Sequence, residues 1–304
     1  DIFNVLKTTS FDTILRECSL FIIPILNPDG AESYTRKNAN QVDINRDAVD
    51  LSQSESKVLR AVFDAINPDY GFNMHDQRTL FNVGKNNAPA TVSFLSPAQD
   101  QALTLTPNRL RAMSVIHQMN LVLQKHIPGQ IGRFDDAFNI NCVGDNFQAQ
   151  GTSTILFEAG HFHKDYNREE SRKFIAFATL QALLCISANS VNENDYENYL
   201  QIPENNTLFF DVLIKNALIR KDNEESVNDI GIIFEEILNN GEILFLPKIK
   251  SIGNLSSYFG HKTINADKKL VQEVSGISIE PDTDFCNIVI GNSEISLLLN
   301  NNLT

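Results

Sequence analysis

The chain has no long apolar run, no basic cluster and no closely spaced cysteines, and each absence removes a class of protein. No apolar stretch approaches the roughly 20 residues that cross a bilayer, so no membrane partner is expected. Lys and Arg form no run longer than two residues and the formal net charge is −13, which argues against nucleic acid as a partner. The four cysteines lack the spacing of a thiolate metal site or a disulfide scaffold, so we expect reduced thiols.

The first residues also lack the features of a secretory signal. Asp1-Ile2-Phe3-Asn4 contains no basic region and no small-residue cleavage site. A cytoplasmic location is therefore the default expectation. With 304 residues and 42% hydrophobic content, the chain is long enough for a substantial core in one domain or two.

Apolar runs that end in turn residues alternate with helical patterns in the first part of the chain. The run Leu20–Leu26 stops at Asn27-Pro28-Asp29-Gly30 and predicts a central parallel strand; further strands are predicted over Tyr70–Met74 and Thr152–Phe157. Helices are predicted from the capping-box pattern Ser52-Gln53-Ser54-Glu55 to Asn67-Pro68, over about Asn108 to His126 and over about Asn167 to Ala188. The alternation predicts an α/β fold with a mixed, mainly parallel sheet flanked by helices, whose site lies beyond the carboxyl ends of its strands.

The sequence changes character between Ser187 and Asn205, where polar residues replace the helical pattern. We predict a catalytic domain over residues 1–190 and a smaller β-rich C-terminal domain over residues 200–304. The second prediction depends on short apolar runs separated by Asn, Gly and Pro, namely Thr207–Ile214, Ile230–Phe234, Ile243–Leu246 and Cys286–Ile290.

Two ionisable residues are predicted at strand ends, His75 after Tyr70–Met74 and Glu158 after Thr152–Phe157. Both are therefore expected at the rim of the sheet. A zinc hydrolase needs imidazole or carboxylate ligands and a carboxylate that takes a proton from water, and these residues suit two of those roles. Taken singly, His75 is better explained as a hydrogen-bonded surface histidine, and Glu158 is as well explained as a solvated strand-end residue as by a catalytic role.

A cation and an amide–cation pair follow the first apolar run. Arg36 offers a planar fork of donors that can stabilise negative charge on a carbonyl oxygen. Asn45 and Arg46 together can bind a carboxylate. Each feature alone is a weak signal, because an Arg in a loop is usually just solvated.

The ordered set of Asn-Pro-Asp-Gly, Arg36, Asn45-Arg46, His75 and Glu158 resembles the M14 family of zinc carboxypeptidases of bacterial type, over about residues 18 to 188. The resemblance implies that His75 is a zinc ligand, Glu158 the general base and Arg36 the oxyanion stabiliser. It implies that Asn45 and Arg46 bind the C-terminal carboxylate of a peptide substrate, and that the complete protein holds one Zn²⁺ ion.

Two features of that family are missing. The family's other two zinc ligands come from a His-x-x-Glu motif upstream of the strand that corresponds to Leu20–Leu26, and no His precedes His75. We therefore expect that the sequence lacks the N-terminal segment with this motif. The family's mobile active-site Tyr is expected upstream of Glu158, where this chain has Phe138 and Asn139.

Asp145 is a further predicted substrate-binding residue. It falls near the family's specificity pocket, where its carboxylate would pair with a basic side chain; a turn formed by Gly144 and Asp145 is the competing interpretation. A separate metal cluster of Glu158, His161 and His163 is disfavoured, because both histidines follow the strand in a loop.

The sequence thus predicts a zinc-dependent metallocarboxypeptidase that hydrolyses the C-terminal peptide bond of peptides through metal-activated water. An aspartoacylase-like deacylase is an alternative, because its small N-acyl amino acid substrates also end in a carboxylate. A catalytically inactive homologue that binds a peptide C-terminus is a third interpretation, and the missing His-x-x-Glu motif is the feature that favours it.

Overall fold

The structure is a computed structural model that describes residues 2–8, 11–221, 224–275, 279–283 and 286–299. The chain divides into two compact units, one formed by Asp1–Arg78 with Ala90–Asn206 and the other by Thr79–Pro89 with Thr207–Thr304. Asp1, where the missing signal was inferred, lies outside the described residues. No helix within the described ranges is long and apolar enough to cross a membrane. In the same ranges the cysteines are free thiols: Cys18, Cys142, Cys185 and Cys286.

Helices and a small sheet make up the first unit. Its helices are α1 Ile2–Leu6, α2 Asp12–Glu17, α3 Pro28–Ser33, α4 Ser54–Ile66, α5 Pro107–Leu123, α6 Val143–Ala149, α7 Glu169–Ser187 and α8 Tyr196–Leu200, with 3₁₀ turns at Ile44–Arg46 and Glu193–Asp195. Its strands are β1 Tyr70–Asp76, β3 Val92–Leu95, β4 Ile131–Arg133, β5 Ser153–Ala159 and β6 Asn205–Asn206.

The sheet of the first unit has the strand order β1-β5-β3-β4. β1 runs parallel to β5 and β4 parallel to β3, while β3 and β5 are antiparallel. This is the mixed α/β sheet that the sequence predicts. The predicted strands Tyr70–Met74 and Thr152–Phe157 correspond to β1 and β5, each of which extends two residues further at its carboxyl end.

The two faces of this sheet carry different side chains. Ile155 and Phe157 of β5 are fully buried in a core that includes Met113 of α5 and Ala178 of α7. Because side chains alternate along a strand, Glu158 lies on the other face. The helical core and the ionisable residue therefore occupy opposite sides of the sheet.

Local chemistry explains the start of α5 and the end of α4, but the capping box predicted for α4 is wrong. Pro107 opens α5, where a missing N–H costs nothing, and Asn67 ends α4 in the left-handed conformation at φ 46°. The capping box predicted at Ser52 does not form. α4 begins at Ser54, one residue later than a cap at Ser52 requires, and Gln53 precedes it without a side-chain cap; the Ser52 hydroxyl donates to Asp47 at 2.7 Å.

The central strand predicted over Leu20–Leu26 is also wrong. The segment is unpaired among the described strands, and Phe21 is 65% exposed and Ile25 61% exposed. Pro24 interrupts the run and has no N–H to donate to a neighbouring strand. The following Asn27-Pro28-Asp29-Gly30 starts α3 rather than a turn, because the Asn27 side chain accepts a hydrogen bond from Gly30 N at 3.0 Å.

The second unit is built from strands. They are β2 Asn82–Val83, β7 Phe209–Lys221, β8 Glu224–Asn239, β9 Glu242–Gly253, β10 Phe259–Asn265, β11 Val271–Glu273, β12 Asn287–Ile290 and β13 Ser293–Ser296. One sheet has the order β10-β7-β8-β9 and another the order β11-β12-β13. A C-terminal set of sheets agrees with the predicted β-rich module. The predicted limits of independent domains, residues 1–190 and 200–304, stay a prediction.

Candidate functional site

His75 and Glu158 are direct neighbours in the sheet. The register pairs His75 of β1 with Glu158 of β5, and Glu158 in turn with Ser93 of β3. Paired residues on adjacent strands project from the same face, and the strands lie about 4.8 Å apart. These side chains therefore form one row on the sheet face opposite α5 and α7.

The carboxyl group of Glu158 is buried without a hydrogen-bond partner for one of its oxygens. The residue is 7% exposed, and within the described part of the chain its Oε2 accepts no hydrogen bond. Burial raises the pKa of Glu158 to about 8; the negative charge of Asp76 also raises it, and the positive charge of Arg36 opposes both. Glu158 is therefore mostly protonated at neutral pH unless further positive charge lies beside it.

His75 also has a buried, unpartnered ring atom. Its Nε2 makes no hydrogen bond with any described residue. Burial lowers the pKa of His75, and the positive charges of Arg36 and Arg46 lower it further, while Asp76 and Asp43 act in the other direction. His75 is thus neutral at neutral pH, the form that binds a metal ion or accepts a hydrogen bond.

Arg36 lies in the loop that follows α3 and acts on the row through its charge. Its Nε donates to Asp43 Oδ2 at 2.7 Å, and the Arg36 side chain is 65% exposed. An ion pair this exposed contributes little to stability. Its charge nevertheless acts on both His75 and Glu158, so Arg36 lies within electrostatic reach of the two strand-end residues.

Asp43 connects Arg36 to the predicted carboxylate-binding pair. Its Oδ2 accepts from Arg36, and its Oδ1 accepts from the backbone N of Asn45 at 3.0 Å. Sequence reasoning did not assign Asp43 a role. The available signal was its spacing, because an Asp commonly accepts a hydrogen bond from the backbone two residues later.

Asn45 and Arg46 lie together in the 3₁₀ turn. Asn45 Oδ1 accepts from Val143 N at 2.9 Å, and Arg46 Nη1 donates to Asn45 O at 2.7 Å. Arg46 is exposed, and its charge acts on His75 and on Asp145. The pair is therefore held next to the first turn of α6, within electrostatic reach of His75.

Asp145 lies inside α6, so the competing interpretation of a turn at Gly144 and Asp145 is wrong. The side chain is 9% exposed, and its Oδ1 accepts from Asn139 N at 3.4 Å. Burial raises the pKa of Asp145 to about 6, against the effects of that hydrogen bond and of the positive charges of Arg46 and Arg109. Its role in substrate binding stays a prediction.

The described residues do not provide a complete zinc site. Within the described residues, no three His, Cys, Asp or Glu side chains lie close enough together to hold a metal ion. A catalytic zinc needs three protein ligands and an open position, and His75 offers a single nitrogen. The disfavoured cluster does not form either, because His161 is buried against the Tyr166 ring, with centroids 4.8 Å apart, while His163 is exposed.

The chain bears a weak likeness to two solved carboxypeptidase structures. The first is a metallo-carboxypeptidase from Burkholderia cenocepacia, with TM-score 0.41 and 16% identity over 56% of this chain and 44% of the other. The second is the mDAP-bound form of Helicobacter pylori Csd4, a D,L-carboxypeptidase, with TM-score 0.35 and 17% identity over 78% of this chain and 64% of the other. The chain spans less than two thirds of either protein. No family model and no curated protein matches the sequence.

These similarities are too low to carry an argument about family or function. The M14 resemblance of the motifs therefore remains a resemblance.

Sequence reasoning missed a polar network beside Glu158. Asn205 Nδ2 donates to Gln77 Oε1 at 3.1 Å and to Ser93 Oγ at 2.9 Å, and Gln77 Nε2 donates to Ala90 O at 2.8 Å. Its members are far apart along the chain, so no local pattern shows it. The network joins the ends of β1 and β3. Its neutral groups lie on both sides of β5, the strand that carries Glu158.

Proposed function

We propose that this site hydrolyses the C-terminal peptide bond of peptides, as a metallocarboxypeptidase. The observation that supports the proposal most is the pairing of His75 with Glu158 in one row, within electrostatic reach of Arg36. A base and a cation are groups that catalyse the attack of water on a carbonyl, and an unpartnered imidazole nitrogen can bind a metal ion.

In this proposal each residue has a separate task. Ionised Glu158 takes a proton from the attacking water and passes it to the leaving amine, a role typically worth 10²–10⁴-fold in rate. Arg36 stabilises the negative charge that develops on the carbonyl oxygen. Asn45 and Arg46 bind the C-terminal carboxylate, which selects the last peptide bond.

One zinc ion belongs to the proposal as the cofactor, with His75 Nε2 as one ligand. When bound, such an ion supplies a water of lowered pKa. Because the described residues do not complete a zinc site, we assign no step to the ion. Positive charge beside Glu158 would favour its ionised form over the protonated one.

A second candidate is a protein that binds a peptide C-terminus without cleaving it. The observation in its favour is that the described residues contain no group of three metal ligands. Asn45 and Arg46 alone would suffice for this function, and the buried, mostly protonated Glu158 would then serve no base chemistry.

The deciding experiment measures release of the C-terminal amino acid from N-acetyl dipeptides that end in Ala, Phe, Lys or Glu, with and without added Zn²⁺. Release of acetate from N-acetyl amino acids is measured in parallel, because an aspartoacylase-like enzyme would perform that reaction instead. Because the chain is expected to hold zinc only weakly, we expect release of the terminal residue only while Zn²⁺ is present in excess. This release should be lost on amidation of the dipeptide and reduced about 10²-fold by Glu158→Gln.

Binding of the free-acid dipeptides without any turnover would favour the second candidate. Equal cleavage of free acids and amides would contradict both, since neither function then uses a carboxylate-binding pair.

A further inference from the structure

We infer that two copies of this chain associate through residues 20–26, the apolar segment that the sequence predicts as a central strand. The inference goes beyond the proposed function and does not depend on it, because no residue of this segment has a task in catalysis or in substrate binding. It also gives a use to an apolar run that finds no partner strand in the described part of the chain.

The segment has the side chains of a strand but exposes most of them to solvent. Phe21 is 65% exposed, Ile25 61%, Ile22 50% and Ile23 43%. Taking roughly 180 Å² for each of these residues when fully exposed, the four amount to about 400 Å² of apolar surface. An apolar patch of a few hundred Å² on a folded protein commonly serves as a binding surface.

The backbone of the segment is also unpaired. The N–H and carbonyl groups of residues 20–26 form no hydrogen bond with any residue that the structure describes. Backbone groups left free in this way pair readily with a strand of another chain. Pro24 removes one donor, but the residues on both sides of it keep theirs. Free backbone and exposed apolar side chains in the same residues therefore indicate association with another polypeptide.

Leu20 fixes where this surface lies. It packs in one cluster with Phe72 of β1 and Leu184 of α7. β1 is the outermost strand of its sheet. Among the described residues, no later member of the segment joins that cluster, so the chain leaves the core after Leu20 and exposes its side chains beside β1. The patch is thus anchored at one end to the sheet of the first unit.

The absence of charge indicates which partner fits. No charged residue occurs between Glu17 and Asp29, although 21% of the chain is charged. The segment therefore has no ionic group with which to select an acidic or a basic protein. For two copies of a chain with net charge −13, an uncharged surface is also where they approach each other with the least repulsion.

The exposed area is close to what a stable dimer needs. A standard interface buries about 800 Å² per partner, of which about 60%, or roughly 480 Å², is apolar. The four exposed side chains supply about 400 Å² of this on each copy. In a two-fold contact the same surface serves both partners, so one segment is enough to form the interface. A second copy of this chain therefore fits the segment in size and in character.

The experiment measures the molar mass of the chain by light scattering after size exclusion, over about 1 to 100 µM protein. We expect the parent to reach twice the 34.1 kDa of one chain. Phe21→Ser and Ile25→Ser should each raise the dissociation constant of the dimer at least about tenfold, because each change is present in both partners. Leu121→Ser is the matched control, since Leu121 on α5 is 47% exposed and should leave the mass unchanged. Far-UV circular dichroism shows whether each variant is folded.

The possible failures are distinct. A parent that is monomeric at every concentration overturns the inference; binding of this monomer to a lysine-flanked peptide of residues 20–26 would then assign the segment to another polypeptide, and binding to phosphatidylcholine vesicles to a lipid surface. A dimer that both serine variants leave intact overturns it too, because another surface then joins the copies. Species that grow beyond the dimer contradict a closed two-fold contact. An unfolded serine variant contradicts the inference as well, since its side chain would then belong to the core of the monomer.

Discussion

Asp47 anchors the 3₁₀ turn that carries Asn45 and Arg46, and its replacement by Asn is expected to destabilise the protein measurably. Its Oδ1 accepts from Ser52 N at 3.0 Å and from Ser52 Oγ at 2.7 Å, and its Oδ2 accepts from Gln53 N at 2.9 Å. The residue is 4% exposed. Burial acts to raise the pKa of Asp47, but the Ser56 hydroxyl, together with these hydrogen bonds from Ser52 and Gln53, outweighs it and lowers the pKa from 3.8 to about 2.

The size of the effect follows from that shift. A carboxylate whose pKa falls from 3.8 to about 2 on folding stabilises the native state by about 2 kcal/mol at neutral pH, at about 1.4 kcal/mol per unit. Because the folded pKa is the lower one, this contribution is complete well above 3.8. It is lost as the pH falls through about 2. By the same relation, about half of it remains at pH 3.

Urea unfolding of the parent and of Asp47→Asn at pH 7 and pH 3 tests this reasoning. We expect the variant to be less stable by about 2 kcal/mol at pH 7 and by about 1 kcal/mol at pH 3. Asp64→Asn is the control on α4, since Asp64 is 55% exposed in its pair with Arg60 and should change stability by less than about 0.5 kcal/mol. A difference for Asp47→Asn that is as small as the control, or the same at both pH values, would refute the argument.

Three further predictions concern burial and the metal. Arg109 is 1% exposed and donates to Asp136 at 2.6 Å and to Leu103 O at 2.7 Å. Arg109→Met removes both hydrogen bonds and should lower the free energy of unfolding by about 2 kcal/mol; a loss below about 1 kcal/mol in urea unfolding contradicts this. Glu158→Gln should change stability at pH 7 by less than about 1 kcal/mol, because burial already keeps Glu158 mostly protonated; a larger loss in the same assay means that it is ionised in the fold. The 304-residue chain, dialysed against Zn²⁺ and then buffer, should retain much less than one zinc ion by elemental analysis; stoichiometric zinc would mean that the chain supplies further ligands besides His75.

Local sequence patterns were sufficient to predict those helices and strands that are determined by nearby residues. The apolar run that ends Thr152–Phe157 predicts β5, and the periodic segment up to Asn67 predicts the end of α4, because both depend on nearby residues alone. Leu20–Leu26 shows the limit of this reasoning. An apolar run becomes a strand only if another strand pairs with it, and Pro24 removes one of the donors that pairing would use.

In the candidate site, too, some features could be predicted from the sequence and others depend on the three-dimensional fold. The order of the motifs and the strand-end positions of His75 and Glu158 were readable from the sequence, but their direct pairing depends on the sheet register. The bond between Val143 and Asn45 joins residues 98 positions apart, which no local spacing reveals. Asp43 lies only two residues from Asn45, so its hydrogen bond to that backbone was within reach of local turn chemistry.

The most direct test of the central claim is a crystal structure of the protein with an N-acetyl dipeptide bound as the free acid. The account predicts hydrogen bonds from Asn45 Nδ2 and the Arg46 guanidinium to the terminal carboxylate, with the last peptide carbonyl lying towards Arg36 and Glu158. A peptide carboxylate bound away from Asn45 and Arg46, or a dipeptide on the sheet face that carries α5 and α7, would contradict it.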